Sequence, residues 1–292
     1  MLSNPRSERV RAARRLAGRS ARERAGAFLA EGPQAVREAV AASAVRELFL
    51  TTDAADRHRE LVDAAVAQGV AVRWSTPEVL AGIAGTVTPQ GLVAVCSNVD
   101  KALDDVLAGS PSLVAALSRV QDPGNAGTVL RAADAAGADA VVLTTGSVDV
   151  YNPKCVRSTA GSLFHLDVVV GAPLPALVER ARAAGLGVLA ADGAGPVDLD
   201  DLVDDAGHGR GPLTEPLMWV FGNEAQGLTA DEAALADAVV RVPVHGRAES
   251  LNLATAATVC LYAAARARRR RGRGHEVLDQ HEVDQGLHDR RD

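Results

Sequence analysis

Several things are scarce in this 292-residue chain, and each shortage removes a class of function. Its three cysteines, Cys96, Cys155 and Cys260, are far apart, odd in number and without Cys-x-x-Cys spacing. Neither a disulfide framework nor a zinc site is expected, and each thiol reads as a small buried hydrophobe. No apolar run approaches the 18 or so residues of a membrane span, and no apolar stretch of a secretion signal follows the arginine-rich N-terminus. The expectation is therefore a cytoplasmic protein with no membrane partner and no metal. No Gly-x-Gly-x-x-Gly follows a first strand, which disfavours an ordinary dinucleotide-binding dehydrogenase. Lysine is almost missing, with Lys101 and Lys154 the only examples.

What is present suits a globular protein of one large or two modest domains, with 47% hydrophobic residues. The net charge of −6 is unevenly spread. Arg6, Arg9, Arg11, Arg14, Arg15, Arg19, Arg22 and Arg24 face only Glu8 and Glu23 in the same stretch, while acids gather at 192–205 and in the tail. Such a run is either a solvated helix face or a phosphate-binding surface, for which the arginine fork is well shaped. Arginine dominates the whole chain, so composition alone does not choose between them.

Alternating helical and strand patterns give the fold class as α/β. Residues 1–28 read as an arginine-rich helix interrupted near Gly18 and Gly26, and FLAEGP (28–33) as the turn into a second helix with Pro33 in its first turn. RELFLT (46–51), 70–73 and GLVAVC (91–96) read as strands around helices at 56–68 and after Thr76. A polar stretch at 97–110 ending in Gly-Ser-Pro places a domain boundary there. Beyond it about six strands alternate with helices, the pattern of a parallel sheet covered on both faces. A helix is expected from about Gly127 to Ala136, another capped by Asn152 with Pro153 at its first position, and an acidic, glycine-rich loop at 192–216. From Arg268 onward the chain is charge-dense and aperiodic, which reads as a disordered tail. Its His275, His281 and His288 do not make a convincing ligand set.

The chemistry concentrates in three polar turns. LMWVFGNEAQGLT (217–229) is a buried strand that stops at Gly222, gives way to Asn223 and Glu224, and restarts as a helix at a Thr229 to Glu232 capping box. VVRVPVHGRAESLNLATAATVCLYAA (239–264) is a second apolar strand ended by Pro243, a loop at 245–249, and a helix whose first turn carries Ser250 and Asn252. Ser250 and Asn252 suit plain capping as well as chemistry. DPGNAGTVLRAADAAGADAVVL (122–143) holds Asn125, Gly127 and Arg131 in fixed register. Lys154 and Arg157, on the helix after Pro153, are either a solvated face or phosphate contacts.

These segments resemble, in order, motifs 2, 3 and 1 of the SpoU, or TrmH-like, branch of the SPOUT RNA methyltransferases, over roughly residues 110–266. Residues 1–105 are similar to the L30e-like RNA-binding domain that often precedes such a unit. The resemblance implies a C-terminal knotted parallel-sheet domain at 106–266, which leaves 267–292 as the disordered charged tail read above from its composition. It implies contacts to S-adenosyl-L-methionine from Gly222, Val242 and Leu251, catalytic roles for Arg131 and Ser250, and a site shaped by Asn125, Glu224 and Asn252. It also implies a homodimer through the knot and an RNA substrate, most naturally ribosomal given the N-terminal unit. Transfer RNA, or RNA binding without catalysis, are the competing readings. A guanidinium is almost never neutral in a protein, so Arg131 fits charge stabilisation as well as a base role.

Overall fold

Apolar strands bounded by turn residues form two sheets in this computed structural model, which describes residues 1–86 and 88–269. The N-terminal sheet contains β1 (Ala27–Glu31), β2 (Val45–Leu50), β3 (Ala71–Trp74) and β4 (Leu92–Ser97), in the order β1-β4-β2-β3. Strands β2 and β3 pair in parallel, while β4 runs antiparallel to β1 and β2. The expectation that 28–33 simply turns into a helix is corrected by β1. Left-handed Gly26 (φ 53) ends the helix Arg19–Ala25, and the next helix waits until Pro33. Ala27, Phe28, Leu29 and Ala30 between them are all buried, and an extended segment can present apolar side chains to both of its faces. The expected helix at 56–68 is two, Thr52–Arg57 and Arg59–Ala67, broken at His58.

The larger sheet contains β5 (Leu113–Leu117), β6 (Ala140–Thr144), β7 (Asp167–Ala172), β8 (Gly187–Ala191), β9 (Val197–Asp198), β10 (Leu217–Phe221) and β11 (Ala238–Arg241). Their order is β7-β6-β5-β10-β8-β11-β9, with parallel pairing throughout. Strands β5, β6 and β10 are buried at every residue, as a sheet with both faces covered requires. About six strands were expected, and the additional one is the two-residue β9. It lies in the stretch read as a loop, as does the helix Leu199–Gly207. Leu199, Leu202 and Ala206 are that helix's buried stripe, and its aspartates face outward.

The chain leaves β5 to build β6 and β7 on one side, then returns to build β8, β10 and β11 on the other. The reversal falls between β5 and β10, so the loops after these two strands open side by side, where open α/β sheets bind ligands. The helix after β5 is Pro123–Ala136, capped by Asp122, and so begins earlier than the expected Gly127. Gly127 is instead a packing residue. A Cβ there would sit 2.5 Å from the Cys155 carbonyl oxygen on the helix Pro153–Thr159. The final helix spans 253–269, so the expected tail is still helical over its first residues; the remainder of 267–292, with His275, His281 and His288, lies outside the described residues.

The two sheets share one core. Phe28 of β1 stacks on Tyr151 (centroids 4.6 Å apart) and Phe164 (6.0 Å) of the C-terminal half. Beside them Arg22, only 3% exposed, donates from Nε and Nη2 to Asp149 (2.9 and 2.6 Å) and from Nη1 to the carbonyls of Leu16 and Ala17. His165 bridges Glu38 (3.1 Å) and Asp134 (2.8 Å) across the same joint. Cys96, Cys155 and Cys260 are buried, and burial pushes each thiol up to about 12. Arg22→Ala leaves Asp149 facing the joint without its partner. It is expected to cost about 3–5 kcal/mol, the usual cost of halving a buried ion pair. Urea unfolding measures this, and a loss below about 1 kcal/mol would show the pair to be dispensable.

Candidate active site

The three polar turns converge on a single chain of hydrogen bonds. Glu224, in the loop after β10, accepts the backbone amides of Gln121 (3.0 Å) and Asp122 (2.9 Å) through its two carboxylate oxygens. It also accepts the Asn125 side-chain amide at 3.2 Å. The Asn125 carbonyl oxygen in turn accepts from Nδ2 of Asn252 at 3.1 Å. One carboxylate and two amides thus bind the loop after β5, the loop after β10 and the approach to the last helix. Partial burial opposes the Glu224 charge, but the Gln121 and Asp122 amides, with Asn125, outweigh it and hold the carboxyl below its ordinary value of 4.5.

Each turn is rigid for a local reason. Asn223 accepts the amides of Ala225 (2.9 Å) and Gln226 (3.1 Å) and exchanges backbone hydrogen bonds with Gly227. The 227–228 backbone folds so tightly against Gly222 that a Cβ there would lie 2.4 Å from the Gly227 carbonyl carbon. Glycine at 222 is therefore required by the loop's own closure. Asp122 caps its helix by accepting the Asn125 amide (2.8 Å) and holds Lys154 Nζ (2.7 Å). The bond from Lys154, then that from the Asn125 amide, keep its carboxyl below the usual range. Asn252 caps the last helix by accepting the Ala254 amide (2.9 Å), so Ser250 and Leu251 lie before that helix and not in its expected first turn.

Between the ends of β8, β10 and β11 lies a cavity of about 660 Å³. Gly222, Glu224, Val242, Ser250 and Leu251 all line it. Regular pairing in β11 stops at Arg241, which frees Val242 and Pro243 to form part of the wall. Leu251 is 37% exposed and Val244 40%, an apolar surface open to a ligand. The size lies within the 300–1,000 Å³ of small-molecule sites. Apolar walls, main-chain glycines and the carboxylates of Asp192, Glu224 and Glu249 suit a nucleoside that carries positive charge. Among the described residues no group of three His, Cys, Asp or Glu is placed to hold a metal ion.

Arg131 stands apart. Six residues beyond Asn125, it lies about 9 Å further along the helix and roughly 240° around it. It is exposed, does not line the cavity, and its side chain has no hydrogen bond or ion pair among the described residues. Conversely, the structure singles out Arg119, which the sequence did not. Its backbone is left-handed (φ 53), and its carbonyl accepts the side chains of Asn223 (2.9 Å) and Gln121 (3.0 Å). Its guanidinium grips Glu232 at 2.9 and 2.6 Å. Glu232 is the acid of the capping box with Thr229 and also accepts the Ser118 hydroxyl (2.8 Å). Partial burial pushes that carboxyl up, and Arg119, Thr229 and Ser118 together overcome this and bring it down to about 2.

Fold and cleft together define an open-sheet α/β protein with a nucleoside-sized pocket outside the carboxyl ends of its strands, closed by the three methylase-like turns. Profile comparison agrees: the SpoU rRNA Methylase family matches residues 112–262, and the MRM3-like substrate binding domain matches 7–94. The chain belongs to the SpoU rRNA methylase family. It is 31% identical over 261 residues to the 23S rRNA (guanosine(2553)-2'-O)-methyltransferase RlmP of Bacillus subtilis, covering 89% of this chain and 97% of that one. It is 33% identical over 290 residues to the 23S rRNA (uridine(2479)-2'-O)-methyltransferase of Streptomyces viridochromogenes, covering 91% and 97%. An AdoMet-bound rRNA methyltransferase from Sinorhizobium meliloti superposes with a TM-score of 0.79 at 31% identity, covering 91% of this chain and 97% of that chain.

Two outcomes test the geometry. Glu224→Ala removes an ionised acceptor from two backbone amides and is expected to cost about 1.5–3 kcal/mol of local stability. Hydrogen exchange at Gln121 and Asp122 should accelerate while β5 and β6 stay protected; unchanged exchange at 121 and 122 refutes the clamp. Because the folded state favours ionised Glu232, its contribution is fully present above pH 4.5 and is lost as pH falls toward about 2. Glu232→Gln should flatten the acid limb of the stability curve across that window, and an identical limb would show that Arg119 holds nothing there.

Proposed function

We propose that the protein transfers a methyl group from S-adenosyl-L-methionine to a ribose 2′-hydroxyl of RNA, with ribosomal RNA as the substrate. The observation that carries this reading is the Glu224, Asn125 and Asn252 hydrogen-bond chain beside a nucleoside-sized cavity. The relatives, named as 23S rRNA 2'-O-methyltransferases and matched over nearly their whole length, support it. In this reading residues 1–105 form the substrate-binding domain and 106–266 the methyltransferase domain. The protein works in the cytoplasm.

S-adenosyl-L-methionine supplies an electrophilic methyl group on a sulfonium when bound. Gly222, Val242 and Leu251 would hold it, the glycine through main chain and the other two as apolar walls. Glu224 keeps the loop after β5 closed, and Asn125 and Asn252 fix the edge of the site to that loop. Ser250, at the cavity wall, offers a hydroxyl to the ribose. Arg131 would stabilise the 2′-oxygen as its proton passes to solvent water, while orienting the neighbouring phosphate.

The outward position of Arg131 supports an active site completed by a second copy of the chain. Val259 (40% exposed) and Tyr262 (49%) leave an apolar strip on the last helix, suited to a homodimer interface. We infer also that the segment before this helix is threaded as a trefoil knot; the Asn252 contact to Asn125 and the burial of Ala257, Leu261 and Ala264 are consistent with it.

The test is labelled methyl transfer to total RNA from a strain lacking the gene, with the modified ribose mapped by sequencing. Arg131→Ala is expected to lower turnover by about 10²–10³-fold, the cost of losing one group that stabilises an oxyanion. Melting temperature and donor affinity should stay as in the wild type. Near-normal turnover in that variant, or a fully active monomer by light scattering, would refute the corresponding assignment.

A further inference from the structure

We propose that the groove between the two domains seats the RNA backbone, with Arg14 and Arg157 binding its phosphates and Lys154 extending the track to the cleft. This rests on the reading of the protein as an RNA-modifying enzyme. Among the arginines between residues 6 and 24, the structure separates structural from available ones. Arg22 is buried on Asp149, and Arg9 and Arg19 are paired with Glu47 and Glu23. Arg14 instead lines a cavity of about 260 Å³ with Arg157 of the helix Pro153–Thr159, so each domain supplies one guanidinium.

Only Glu31 opposes them within that lining, and its carboxylate is largely committed. It is 9% exposed and accepts the Gly85 amide (3.2 Å) and the Thr86 hydroxyl, with Arg157 at a loose 3.5 Å. That single long contact positions Arg157 but leaves most of its five donors free for a phosphate. Gly85 is part of the seat, since a Cβ there would lie 3.2 Å from Arg157 Nη1. Lys154 is one turn earlier on the same exposed helix face, about 5–6 Å away as i, i+3 neighbours are. Its Nζ rests on Asp122, whose backbone amide Glu224 holds. A row of three basic side chains thus runs from the domain joint to the edge of the cleft, with Glu31 and Asp122 beside it, in a chain that is acidic overall.

The experiment measures binding of the full-length protein to protein-free 23S rRNA by filter retention at several KCl concentrations. Removing one phosphate-binding cation reduces the slope of log K against log salt by about 0.7–0.9. Arg14→Ala/Arg157→Ala should therefore reduce it by about 1.4–1.8, with affinity for S-adenosyl-L-methionine unchanged. Arg157→Lys, which keeps the charge, and Arg59→Ala, which removes an exposed cation outside the groove, should retain the wild-type slope. If the double variant melts early, Arg14→Ala alone carries the test with a drop of about 0.7–0.9. An unchanged slope, or an equal drop in Arg59→Ala, overturns the assignment. Variants that show the expected slopes, beside a wild-type protein that methylates no RNA, would count against the activity while supporting the groove.

Discussion

The site depends on one ionised carboxylate placed where two loops end. Glu224 accepts two consecutive backbone amides and a side-chain amide, so removing its charge or its length frees the loop after β5 from the loop after β10. Charge-assisted bonds of this kind are roughly twice as strong as neutral ones. The strand order puts them in reach, because β5 and β10 are neighbours at the reversal of the sheet. Everything else in the cleft, from the Asn125 to Asn252 bond to the wall at Gly222, is built on that juncture.

Around it the protein uses paired charges as scaffolding rather than as surface decoration. Arg119 on Glu232 ties the loop after β5 to the helix Ala230–Ala233, and Arg241 on Asp198 ties β11 to the short β9. Lys154 on Asp122 joins two helix starts. The Arg131 side chain has no such partner among the described residues, so its whole charge is available to something outside the chain.

Much of this was legible in the sequence because the signals are local. The Thr229 capping box, the Asn152 and Pro153 helix start and the apolar strands ending at Gly222 and near Pro243 need only neighbouring residues to be recognised. The functional residues of the three turns were assigned through their resemblance to the family, and five of those eight residues line the cavity. What escaped was non-local. Arg119 and Glu232 are 113 residues apart, and Arg22 and Asp149 are 127 apart, so neither arginine differs in sequence from a surface one. Strand β1 was hidden because both of its faces are covered, which erases alternation. The helix Leu199–Gly207 was hidden by its aspartates, although Leu199, Leu202 and Ala206 had helical spacing.

The shared core at the domain joint has a consequence for target choice. With Phe28 wedged between Tyr151 and Phe164, and Arg22 sealed onto Asp149, the N-terminal unit has no loose seam about which to swing. The span between that unit and the cleft is then a fixed gauge. On the proposed function, it is the RNA rather than the protein that has to adapt its contour across that span.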